Sequence, residues 1–445
     1  MISPAPQRVH VFALGKPRAS GPRRYYVKWR IDGRDRTRSF KTRVEADRFR
    51  SRLLDAVHQG APFDPMEGVP TSWLAREGEA PTWWTWSREW CHLKWPQWSG
   101  HSRRSAVETL ALLTPHLVRL GAPMAPDGLR PWLRAEGFTV DKEPTGPMAE
   151  WLARWSAPLA EIDAPMLERV LHRALLRQDS KPMAATVARR HRNQLASVLQ
   201  SAVRRGLLPF SPMERVEWRN PAHSLELDVS TVPSPADVEA IVEWTWAQPP
   251  NRAQCAVLFA TIGLAGLRPS EAAAVRVADV SLPDEGWGVA FVRSAITSPG
   301  PRFTADGTAL ETKGLKHRAV NAVREVPLAP RLVELLRAHL VRFPPIEGRV
   351  FSNGAGRPIA SSNYGPVWIR ARQALWPEPH HLAATTAYDL RHSAATMMLR
   401  AGVPAAEVAR RLGHSVDVLL RVYAGVYDGE RERSNALIEA ALAGI

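Results

Sequence analysis

The sequence predicts a multidomain chain, mainly α with small β-sheets, and three stretches carry that expectation. Near the start, RYYVKWRI and RDRTRSF alternate their side chains around Asp32-Gly33 and are followed by a helical pattern. From about Thr82 to Arg215 the pattern is helical and rich in Trp. The remainder mixes helices with a few short strands, an α+β composition. With 445 residues, two or three domains can each bury a core.

Asp32-Gly33 between two alternating segments is a strong two-residue hairpin signal. Residues 1–62 therefore read as a small three-stranded sheet plus a helix, which starts at the capping box Thr42-x-x-Glu45 and runs to about Val57. Residues 1–60 hold 15 Lys and Arg against 5 Asp and Glu, so two thirds of the formal net charge of +15 lies in the first seventh of the chain. A solvated surface accounts for such charge. A β-ribbon that interleaves cations with aromatics also fits a DNA groove, with Arg24, Lys28, Arg30, Arg34, Arg36 and Arg38 against phosphates.

Residues 63–81, rich in Gly, Pro and small polar residues, read as a linker. Residues 82–215 follow as an all-α domain with helices over about 101–119, 164–178 and 183–205, its Trp residues mostly core. Arg189, Arg190 and Arg192 on the last of these helices make either a solvated face or phosphate contacts. Residues 216–230 are a second linker. Ser234 as N-cap and Pro235 at the first helical position open the next domain, 231–430. Inside it a helix is expected over about 251–264, ending at Gly266, and strands at about Gly288–Arg293 and Val323–Pro327 enclose a loop containing TKGLKHR. A final helix, about Arg433 to Ala443, lies within 431–445.

The bulk properties narrow the function classes. A sequence pI near 10.5 favours a polyanionic partner, which DNA, RNA or an anionic membrane surface would satisfy. Eight of the 59 basic residues are Lys, so Lys313 and Lys316 stand out among many Arg. Two Cys without a Cys-x-x-Cys support neither a disulfide framework nor a cysteine zinc site. No acidic metal cluster, His/carboxylate ligand set or Gly-rich phosphate loop stands out, so no metal or cofactor is expected. No signal-peptide pattern or membrane-length apolar run is visible, which leads to the expectation of a cytoplasmic protein without a membrane partner.

The stretch from Ala387 to Tyr427 is the most heavily punctuated. Ala394, Ala395, Met398 and Leu399 follow the helical period and Gly402 supplies a left-handed stop. Pro404 opens the next helix at its first position, with Ala405, Val408, Ala409 and Leu412 as its buried stripe, and Gly413 ends it, leaving His414 just past a helix end. A third helix carries Val416, Leu419, Leu420 and Tyr423 on one face. Taken singly, Tyr423 as a core aromatic, His414 as a cap and Arg391 as half of an ion pair are ordinary. Together, Arg391-His392 inside YDLRH, then LGH at Leu412 to His414, then a Tyr nine residues on, resemble the C-terminal signature of the tyrosine recombinases, the phage-integrase family of lambda-integrase type.

The resemblance implies an arm-type DNA-binding domain at 1–62, a SAM-like core-binding domain at 82–215 and a catalytic domain at 231–430, with 431–445 a helix for protomer contacts. It implies Tyr423 as nucleophile, with Tyr427 the rival one turn on, and Arg391 and His414 as donors to the phosphate. In GLAGLRPSE it points to Arg268 as the first catalytic Arg and Glu271 in support, although an Arg268–Glu271 pair that merely locks the turn is equally natural. Lys316, with Lys313 as the other candidate, is the implied general acid. Tyr388 stands where the family usually has His. A phenol with a reference pKa of about 10 is a poor base at neutral pH, so Tyr388 is expected to orient while His392, His414 or a water takes the proton. Double-stranded attachment-site DNA, a homo-tetramer on that DNA and an accessory bending or excision factor are the implied partners.

The chemistry suits these residue types. A Tyr hydroxyl attacking phosphorus leaves a phosphotyrosyl link, so cleavage is reversible. Charge grows on the non-bridging oxygens, and fixed guanidinium and imidazole donors stabilise it. A flexible ammonium is suited to protonating the leaving 5′ oxygen. Two other readings share parts of the pattern: a type IB topoisomerase, and a DNA-binding protein that has lost catalysis.

Overall fold

The computed structural model describes residues 8–15, 25–58, 60–61, 63–64, 68–70, 81–140, 142–176, 181–218, 227–315, 322–426 and 431–443. The chain divides into two compact units, one of residues 1–98 and 102–223, the other of residues 99–101 and 224–445. Among the described residues no helix is long and apolar enough to cross a membrane. Arg24, Lys316 and Tyr427 lie outside the described residues, as do parts of both expected linkers.

The first unit begins with an antiparallel sheet of Val9–Val11, Tyr25–Ile31 and Arg34–Phe40 in that order. Asp32 and Gly33 both have positive φ, 44° and 84°, the backbone of a two-residue turn that matches strand twist. The two-residue alternation is real. Val27, Trp29 and Ile31 are buried against Ala46, Phe49 and Leu53 of the helix Arg43–His58, while Lys28 and Arg30 face out. The capping box forms as read, Thr42 N–H donating to Glu45 at 3.1 Å and Glu45 N–H to Thr42 Oγ1 at 3.2 Å. On the outer face Lys28 and Arg30 both pair with Asp35, at 2.7 and 2.5 Å. Exposed pairs of this kind are screened by solvent and contribute little to stability.

The helical part of this unit contains Trp83–Lys94, Gly100–Leu113, Pro147–Trp155, Ala164–Ala174 and Ala185–Arg204. The helix expected over 101–119 stops at Leu113 because Pro115 cannot continue it, and a 3-10 turn, Thr114–His116, follows. Trp83, Trp84, Trp86 and Trp90 are core residues, with the Trp83 indole donating to Thr114 Oγ1 at 2.9 Å and that of Trp86 to Val198 O at 3.0 Å. On the last helix His191 is buried against Thr109 Oγ1 at 2.8 Å, whereas Arg189 and Arg190 are exposed and Arg192 is half-buried.

The second unit opens as expected, with Ser234 and Asp237 in a reciprocal cap and Pro235 first in the helix Pro235–Trp246. The single helix expected over 251–264 is a short turn, Pro250–Ala253, and a helix, Ala256–Ala265. They are separated where Cys255 N–H bonds Arg252 O at 2.9 Å, a tightened repeat. That second helix is buried at every position except the half-buried Leu264 and forms the axis of the core, against Val238 and Ile241 on one side and Trp368 on another. Strands Val280–Ser281, Gly288–Val292 and Arg324–Leu328 make one antiparallel sheet. The expected loop around Lys313 contains a strand: Glu311–Gly314 pairs with Ser294–Thr297, Lys313 opposite Ala295. The β-branched Ile296 and Thr297 supply a partner that ETKG does not announce by itself.

Helices Pro330–Arg342 and Ser361–Leu375 lead to Asp389–Arg400, Ala405–Leu412, Val416–Val422 and Arg431–Leu442. Pro404 is the cap of its helix rather than the first helical residue, its carbonyl accepting from Val408 N–H at 3.1 Å. The stripe expected on the third C-terminal helix splits. Leu419 and Tyr423 are buried, but Val416 and Leu420 are exposed, because this two-turn helix packs along the edge that continues to Val426. Leu227 and Val229 pack on the same cluster, and Leu227 N–H bonds Val422 O at 2.8 Å.

Candidate active site

Two backbone turns bring the charged groups together. The helix Ala256–Ala265 is capped by left-handed Gly266 (φ 70°), whose carbonyl accepts a hydrogen bond from Arg391 Nη1. Pro269 then starts a one-turn helix with Arg268 as its cap residue. Glu271 closes this turn: it accepts Arg268 N–H at 3.0 Å and Arg268 Nη1 at 2.7 Å. The pair that locks the turn and the Arg that faces the site are thus the same residue, and its Nη2 reaches Gly413 O at 3.4 Å.

Gly413 is the second turn. It is left-handed (φ 69°), and a Cβ there would stand 2.5 Å from Arg324 Nη1, so both backbone and space require glycine. His414 follows, its N–H bonded to Ala409 O at 2.9 Å. Its Nε2 accepts from Arg391 Nη2 at 2.8 Å, which also donates to Leu412 O at 2.7 Å. Arg391 is fully buried. Burial, then the charge of Arg268, push it down to about 10, still cationic at neutral pH. Burial, then the charges of Arg391 and Arg268, push His414 down to about 4. A neutral His414 accepting at Nε2 carries its hydrogen on Nδ1, a buried atom without a hydrogen-bond partner among the described residues.

Tyr423 is 1 % exposed, and its hydroxyl lies 2.9 Å from His392 Nδ1. Burial lowers the His392 pKa, against a raising effect of Asp389, with Arg391 lowering it further. A neutral imidazole can therefore accept the phenolic hydrogen. Burial raises the Tyr423 pKa well above its ordinary value, with Arg391 opposing. Tyr388 stands beside His392, the two rings edge-on with centroids 5.5 Å apart, and is 41 % exposed. Arg268 and Tyr388 border a cavity of about 640 Å³ lined also by Ser270, Ile296, Tyr364 and Trp368.

Of the site residues expected from sequence, Arg268, Glu271, Tyr388, Arg391, His392, His414 and Tyr423 therefore form one connected cluster. Arg324 was missed. Its two terminal nitrogens hold Glu271 at 3.2 and 2.6 Å. The signal was present: in REVPL, Arg324 is in phase with Val326 and Leu328, and a charged residue on the inward side of a strand announces a buried partner.

Residues 234–430 match the phage integrase family. Tyrosine recombinase XerC of Bradyrhizobium diazoefficiens is 28 % identical over 191 residues, 42 % of this chain and 49 % of that protein. The putative prophage phiRv2 integrase of Mycobacterium tuberculosis is 29 % identical over 185 residues, 41 % of this chain and 44 % of the relative. The chain spans about half the length of the curated relatives it matches. Among solved structures, XerH site-specific recombinase bound to a palindromic difH substrate in a post-cleavage complex is 16 % identical with a TM-score of 0.50. That match covers 81 % of this chain and 95 % of XerH, and it is a likeness of fold, mainly helical with small sheets.

Proposed function

We propose that the chain is a site-specific DNA recombinase, the integrase of a mobile element or phage, which breaks and rejoins DNA through a 3′-phosphotyrosyl intermediate. The observation that carries this reading is the Tyr423 hydroxyl on a neutral His392, within a cluster where Arg391 and Arg268 converge on the His414 turn. In the reaction Tyr423 attacks the scissile phosphorus and its proton passes to His392 Nδ1. Arg268, Arg391 and the Nδ1–H of His414 stabilise the charge on the non-bridging oxygens. Lys316 protonates the departing 5′ oxygen. Tyr388 lies against His392 and holds the imidazole in register instead of acting as a base. Because the phosphotyrosyl link retains the energy of the phosphodiester, resealing needs no nucleotide.

The domains follow the same reading. Residues 1–62 bind arm-type DNA through the outer sheet face and residues 82–215 grip the core site, with Arg189, Arg190 and Arg192 near the backbone. Residues 231–430 perform the chemistry, and 431–445 contact a neighbouring protomer in a tetramer on DNA, with an accessory bending or excision factor as a further partner. A nicked suicide duplex built from the element's end sequences tests the proposal. A trapped covalent adduct on the Tyr423 peptide and joining between two sites support it. Relaxation of supercoils without joining would make the protein a topoisomerase, and DNA binding with no adduct would make it a binding protein.

The role of His392 predicts a pH profile. Its protonated form cannot accept the phenolic hydrogen, and its pKa lies below 6.5. Single-turnover adduct formation is therefore level above pH about 7 and falls as the pH drops below about 6.5. A rate that rises on acidification through this range would remove His392 from the role.

A further inference from the structure

We infer that Arg324 is a positioning residue of this reaction: by neutralising Glu271 it leaves the charge of Arg268 available to the phosphate. The inference rests on the recombinase reading above. Arg324 and Glu271 are each 2 % exposed. The carboxylate takes four hydrogen bonds: Oε1 from Arg268 Nη1 at 2.7 Å and Arg324 Nη1 at 3.2 Å, Oε2 from Arg268 N–H at 3.0 Å and Arg324 Nη2 at 2.6 Å. Burial alone would raise the Glu271 carboxyl, but the hydrogen bond and charge of Arg324, with Arg268 added, outweigh it and hold it at about 2.

The charge count gives this arrangement a purpose. A lone Glu271–Arg268 pair would be neutral and would offer little to a transition state that gathers negative charge. With two guanidiniums on one carboxylate the group keeps a net positive charge. Arg268, the more exposed partner at 24 %, is where that charge meets the site. Stability alone does not explain the triad, since a buried ion pair is often no better than an apolar replacement of the same volume. Arg324 also lies against Gly413, whose carbonyl holds Arg268 and whose neighbour is His414, so one side chain backs both the carboxylate and the turn.

The test uses the full chain and the nicked suicide duplex, with adduct formation by the parent as the prior condition. A parent that forms no adduct would undo the recombinase reading itself, separately from any result on Arg324. With an active parent, Arg324→Met is expected to slow single-turnover adduct formation on the order of a hundredfold. Its DNA dissociation constant should stay within about threefold, because Arg324 is buried. The double variant Arg324→Met/Glu271→Gln removes the unbalanced carboxylate and should recover at least about tenfold of that loss, a recovery that a purely structural role does not predict. Arg324→Lys, which keeps the charge, should remain within about tenfold of the parent, and it decides the question where Arg324→Met does not fold. An Arg324→Met enzyme within threefold of the parent, a double variant no faster than the single, or an Arg324→Lys enzyme as slow as the Met variant overturns the inference.

Discussion

Tyr423→Phe is expected to give no covalent adduct with the nicked duplex, a loss on the order of 10⁴-fold or more, while DNA affinity should change by less than about threefold. The substitution removes one oxygen from a buried position and leaves the ring packed among Leu412, Leu419 and Val426. It also strips His392 Nδ1 of its partner at 2.9 Å, so the folded protein loses on the order of 1 kcal/mol, measured by urea denaturation. The measurement that decides is the adduct. If it persists in Tyr423→Phe and disappears in Tyr427→Phe, the attacking hydroxyl is Tyr427.

Arg391→Met acts on rate and fold together. The guanidinium donates to Gly266 O, Leu412 O and His414 Nε2, so its loss unpairs three buried acceptors at once. Each unpaired buried group costs about 1–3 kcal/mol, partly offset because a buried cation is removed, and a net destabilisation of about 3 kcal/mol is expected. Adduct formation falls by about a hundredfold to a thousandfold in the protein that remains folded. An additional signature separates this variant from general damage. In the parent, the His414 pKa is depressed to about 4, so its contribution to stability is complete above pH 6.5 and is lost as the pH falls toward 4. Without the charge of Arg391, the second cause of that depression, the His414 resonance titrates at higher pH and the window of acid destabilisation narrows. An unchanged titration would mean that Arg391 does not govern His414.

Local rules made much of this molecule legible. Asp32-Gly33, the caps at Thr42 and Ser234, and the glycine stop at Gly413 are set by backbone sterics or by hydrogen bonds within a few residues, so the sequence displays them directly. The spacing of Arg391, His414 and Tyr423 was legible for a related reason: short helices with marked ends fix where each side chain emerges. What escaped depended on partners far along the chain. Arg324 meets Glu271 across 53 positions, and the contact of His392 with Tyr423 across 31 is what singles it out among the three proton acceptors left open by the sequence. The strand at Glu311–Gly314 is defined by its pairing with Ser294–Thr297 rather than by its own composition. Val416 and Leu420 fit the helical period, yet the helix is too short to bury a whole stripe and turns only its Leu419–Tyr423 edge inward.

The two phenols of the site differ sharply in their reach from solvent, 1 % for Tyr423 and 41 % for Tyr388. Reagents that modify tyrosine act on accessible phenolate, and Tyr423 lacks both accessibility and a ready phenolate because burial holds its proton on. Nitrating or iodinating agents would therefore mark Tyr388 and pass over Tyr423, the proposed nucleophile. Of these two phenols, a tyrosine footprint of the free protein would thus report the neighbour rather than the proposed nucleophile.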